Sequence, residues 1–71
     1  MLFHTTWAVA VRMETADGHY AEYTDSISVV GNDGHEPTAA DLTTYAKDMI
    51  VDSVPRMKAG RTVLSNAHRV G

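Results

Sequence analysis

Between Leu2 and Thr15 the chain alternates almost without a break, and no other feature constrains the fold as strongly. Phe3, Thr5, Trp7, Val9, Val11 and Met13 fall on one parity, and His4, Thr6, Ala8, Ala10, Arg12 and Glu14 on the other. Successive side chains leave a pleated strand on opposite sides, so a period of two marks a strand with one buried face. Trp, Val and Thr also suit a pleated surface. The large apolar set must face a core; the small and polar set must face something else.

Ala16-Asp17-Gly18-His19 comes next. Asp-Gly between alternating segments predicts a hairpin, with a type I′ turn because both of its central residues must tolerate positive φ. The return strand is expected over 20–30. Ala21, Tyr23, Ile27 and Val29 share one face, and Glu22, Thr24, Ser26 and Ser28 the other. Asp25 interrupts the apolar parity, which a β-bulge or an edge position would accommodate. Gly31 to Pro37 reads as a loop by composition.

A helix is expected after Thr38, which forms a capping-box pattern with Asp41. Leu42, Tyr45, Ala46, Met49, Ile50, Ser53 and Met57 make one amphipathic stripe, with Asp41, Thr44, Asp48 and Asp52 opposite. Val51 stands off the stripe as an exposed valine. Pro55 should end the helix near Val54 or kink it. Lys58-Ala59-Gly60 reads as an exit turn, and 61–70 as a third strand whose parities are not clearly apolar. Leu64 is expected to point inward.

These pieces predict one α+β domain over 1–71, a two-layer ββαβ fold. Its three-stranded antiparallel sheet has the order 2-1-3, because the most apolar strand belongs in the centre, and the one helix packs on one face. With 71 residues the core is small. There is no cysteine, so disulfides and thiolate metal sites are excluded. Packing extended by self-association is the remaining route to stability. An apolar fraction of 44% with a net charge of −3 is that of a globular chain, not a disordered one. The N-terminus has no signal-peptide pattern and no stretch is of membrane-spanning length, which predicts a cytoplasmic protein without a membrane partner.

The acidic balance also argues against phosphate binding as the main role. Arg56, Lys58, Arg61 and Arg69 nevertheless form a mildly basic C-terminal segment, and a weak nucleic-acid-binding domain is the alternative reading. Of the four histidines, His4 and His35 with Asp33 could form a metal site, but their spacing fits surface and turn positions better. We expect no metal and no cofactor. Ser26, Ser28, Ser53 and Ser65 stand in no nucleophile-elbow context, and Gly31-Asn32-Asp33-Gly34 lacks a phosphate-cradling pattern. No catalytic residue is expected, and the chain reads as non-enzymatic.

The second face of the sheet is the most informative feature. Thr6, Ala8, Ala10, Thr24, Ser26 and Ser28 make it flat. Adjacent alanines are unusual on a face that merely meets water. The expectation is a protein-interaction module, a homodimer or the binder of a protein partner, that uses this face or the exposed edge of the second strand. The preference for Arg over Lys, with abundant Ala, Val and Thr, is typical of high-GC genomes. It suggests a small phage or mobile-element accessory protein that binds a host protein.

Overall fold

A computed structural model describes residues 2–32 and 36–71. Two 13-residue strands, β1 (Leu2–Glu14) and β2 (Tyr20–Asn32), form the hairpin. A helix, α1 (Ala39–Ser53), follows, then a 3-10 turn over Pro55–Ala59 and a third strand, β3 (Arg61–Arg69). The sheet order is β2-β1-β3, and both pairings are antiparallel. This is the expected α+β architecture, with the helix against one face.

The hairpin differs from expectation at its tip. The Thr15 N–H donates to the His19 carbonyl at 2.8 Å, and the Gly18 N–H donates to the Thr15 carbonyl at 3.2 Å. Gly18 has φ of 91°. These are the bonds of a three-residue loop closed by a left-handed glycine, not of a type I′ turn. Beyond the tip the register runs without a slip from Glu14 opposite Tyr20 to Leu2 opposite Asn32. Asp25 lies opposite Val9 with no bulge, so its edge position alone accommodates it.

The capping box forms as the sequence predicts. The Asp41 N–H donates to Thr38 Oγ1 at 3.2 Å, and the Thr38 N–H donates to Asp41 Oδ2 at 2.9 Å. Helix α1 ends before Pro55, which opens the 3-10 turn and brings Met57 into the core. That core is Val9, Val11 and Met13 of β1 with Leu42, Ala46, Ile50 and Met57. Thr5 is buried beside it at 1% exposure, and its hydroxyl accepts the Trp7 indole N–H at 3.0 Å.

Two expectations about side-chain direction fail. The helix is rolled by about 60° from the centre of its stripe, counting roughly 100° per residue. Val51 packs half-buried against the core, while Tyr45 and Met49 are 42% and 39% exposed. In β3, Leu64 points outward. Val9 pairs with Ala67, which packs half-buried under the helix, and alternation from Ala67 then sends Leu64 to the other face, opposite Arg12. A register shift between Arg12 and Met13 takes up Val63 as a bulge residue.

Candidate functional site: the open face of the sheet

The β1 parity that avoids the core brings its cross-strand neighbours onto one surface. Thr6 pairs with Ser28, Ala8 with Ser26 and Ala10 with Thr24. All six small residues singled out from the sequence therefore share the face away from the helix. The third strand adds His68 opposite Ala8, Asn66 opposite Ala10 and Leu64 opposite Arg12. Sequence reasoning missed this row, because it placed Leu64 on the wrong side; reversing that parity would have found it.

The result is a trough. Ala8 and Ala10 form its floor, Thr24 and Ser26 one wall, and Asn66 and His68 the other, around a depression of about 390 Å³. Longer apolar side chains stand at its margins: Tyr20 and Val30 on β2, Leu64 on β3, and Val70 beyond β3, whose N–H donates to the Thr6 carbonyl. The hydroxyls of Thr6 and Ser28 lie 3.3 Å apart across the strands. The face thus has a smooth centre of mostly small side chains within an exposed apolar rim.

Among the described residues the ion pairs of this face lie at its hairpin end. The Arg12 guanidinium donates to Glu14 Oε2 at 2.8 Å and also to Glu22, and it lies 4.0 Å from the centre of the Tyr20 ring. Hydrogen bonds to Glu14 and then Glu22 hold its pKa above the usual value. With two carboxylates around one cation, the cluster carries one net negative charge at that end of the face.

The other candidates do not converge. Arg56 and Lys58 sit on the 3-10 turn and Arg61 begins β3. Arg69 ends β3, about 26 Å away at strand rise, with its guanidinium 3.6 Å from Glu36. The basic segment is therefore divided between the two ends of β3. His4 is exposed on the open face opposite Val30, whereas His35 and Asp33 lie outside the described residues. Among the described residues no three His, Asp or Glu side chains gather. No helix among them is long and apolar enough to cross a membrane. No family model, curated protein or solved structure matches the chain.

Proposed function

We propose that this chain is a non-enzymatic interaction module that self-associates through the open face of its sheet. The observation that carries the reading is the trough itself: Ala8 and Ala10 form a small-residue floor where a face meant only for water would carry long polar side chains. Three strands about 4.8 Å apart and roughly ten residues of hairpin give a face near 14 by 34 Å. That is of the same order as the ~800 Å² per partner that a specific complex buries. A second copy meets the trough with its own rim of Tyr20, Leu64 and Val70, as a two-fold interface requires. Packing of sheet on sheet supplies the contact.

The β3 edge disfavours edge-to-edge pairing. Val63 bulges at one end of β3, and at the other Val70 and Gly71 both donate to the Thr6 carbonyl, the pattern of a second bulge. Bulges and edge charges are the devices by which sheets avoid pairing with other chains. In a phage or mobile-element accessory protein, the role that composition suggests, the same face is where a host protein would compete with the second copy.

The test is solution mass by light scattering over a wide concentration range, on the wild type and on Ala8→Arg with Ala10→Glu. The wild type is expected to be a dimer and the folded double variant a monomer. A wild type that stays monomeric, or a variant that keeps the dimer mass, removes the proposal.

A further inference from the structure

Among the described residues, strand β2 is the long open edge of the sheet. Its 13 residues include no Lys, Arg or Pro, and its register with β1 contains no bulge. Such an edge invites a second strand, and an exposed one of this length needs a defence.

The ladder fixes which of its amides face outward. The Thr6 N–H donates to Gly71 and the Thr6 carbonyl accepts from Val70, so even-numbered residues of β1 bond toward β3. Odd-numbered residues then bond toward β2, as the Thr15 bond to His19 also shows. Thr24, Ser26 and Ser28, opposite Ala10, Ala8 and Thr6, consequently direct their N–H and C=O groups off the open edge.

One of these donors is occupied. The Ser26 N–H donates to Asp25 Oδ1 at 2.8 Å. Asp25 belongs by parity to the helix side, opposite Val9. Its carboxylate turns to the open edge at mid-length, where it meets the outward-directed Ser26 N–H. A charged acceptor strengthens such a bond beyond that of a neutral pair.

We propose that Asp25 is a guard that closes the β2 edge against the β2 strand of a second copy. Without the guard, antiparallel pairing centred on Ser26 would set Thr24 opposite Ser28, Tyr23 opposite Val29 and position 25 opposite Ile27 of the second copy. Those are favourable neighbours on both faces. With it, the Ser26 donor is taken and a carboxylate stands in the path of the incoming strand. The guard works at the edge and does not depend on association through the open face.

Amide hydrogen exchange on the wild type tests the latch, and solution mass tests its consequence. Ser26 is expected to exchange about tenfold or more slowly than Thr24 and Ser28, from the strength of a charged hydrogen bond. Asp25→Thr, a substitution suited to a strand, is expected to double the mass relative to wild type as concentration rises. Adding Ser26→Pro removes the edge donor without touching the β1 ladder and should restore the wild-type mass. Asp25→Asn keeps an acceptor oxygen and should stay at the wild-type mass. A Ser26 amide that exchanges as fast as its neighbours, or a folded Asp25→Thr at wild-type mass throughout, overturns the proposal. If Asp25→Thr fails to fold, the exchange result decides alone.

Discussion

A β-carbon on Gly60 would lie 2.9 Å from the Glu14 carbonyl oxygen and 3.2 Å from that of Met57. Both neighbours are backbone, held by the β1–β3 ladder and the 3-10 turn, so neither can swing aside. Gly60→Ala is therefore expected to cost about 1–3 kcal/mol, the usual penalty of overpacking, in urea denaturation. Gly18 is constrained differently: nothing crowds it, but its φ of 91° is a conformation that L side chains rarely adopt. Gly18→Ala should cost about 1 kcal/mol, and less than Gly60→Ala in the same assay. Tyr23 makes a prediction in pH. Burial, then the nearby Asp25 carboxylate and Tyr45, push its phenol above the ordinary value. A raised folded pKa means that its stabilising contribution is whole below the unfolded value, about 10, and is lost as pH rises through the folded one. The thermal midpoint of the wild type should fall more steeply than that of Tyr23→Phe above pH ~10. Equal slopes would mean that the phenol ionises freely in the fold.

The elements differ in how far the sequence reveals them, and burial explains the difference. β1 was legible to its side-chain directions, because Val9, Val11 and Met13 are buried on one side while Ala8 and Ala10 stand on the other. The capping box was legible because it needs only Thr38 and Asp41, three residues apart. Removing the Thr38 hydroxyl should lower stability by about 1 kcal/mol; an unchanged denaturation midpoint for Thr38→Ala would show that the cap is redundant. In β3 the pattern is weak for a physical reason. Only Ala67 is even half-buried, so burial selected no parity, and the register came from pairing with β1. The roll of α1 was equally hidden. Leu42, Ala46 and Ile50 fix the helix to the sheet, but both flanks carry apolar residues. The structure buries Val51 rather than Tyr45 and Met49. Tyr45 instead leans on Tyr23, with ring centroids 6.3 Å apart. The six small residues of the open face were readable from alternation alone; the wall formed by Asn66 and His68 required the pairing of β3.

The molecule as a whole is long for its mass. Its extents are 47 × 18 × 15 Å and its radius of gyration is 13.4 Å, where a compact chain of this length would have about 11 Å. Its accessible surface of 4749 Å² likewise exceeds the roughly 4300 Å² expected for its mass. The cause lies in the elements: 13-residue strands span about 44 Å, whereas a 15-residue helix spans only about 22 Å and leaves much of the hairpin uncovered. A core this small beside a face this large should gain measurably from association. If the folded state is a dimer, unfolding releases two chains and mass action ties stability to concentration. A tenfold increase in protein is then worth about 1.4 kcal/mol per dimer, which for ~140 residues raises the melting midpoint by roughly 4 °C. Calorimetry across two decades of concentration measures that slope directly. The Ala8→Arg, Ala10→Glu variant should melt at a midpoint independent of concentration, because its open face can no longer close on a second copy. A concentration-independent midpoint in the wild type would mean instead that the seven core side chains and the ladder hold the monomer alone, and would remove self-association through the open face.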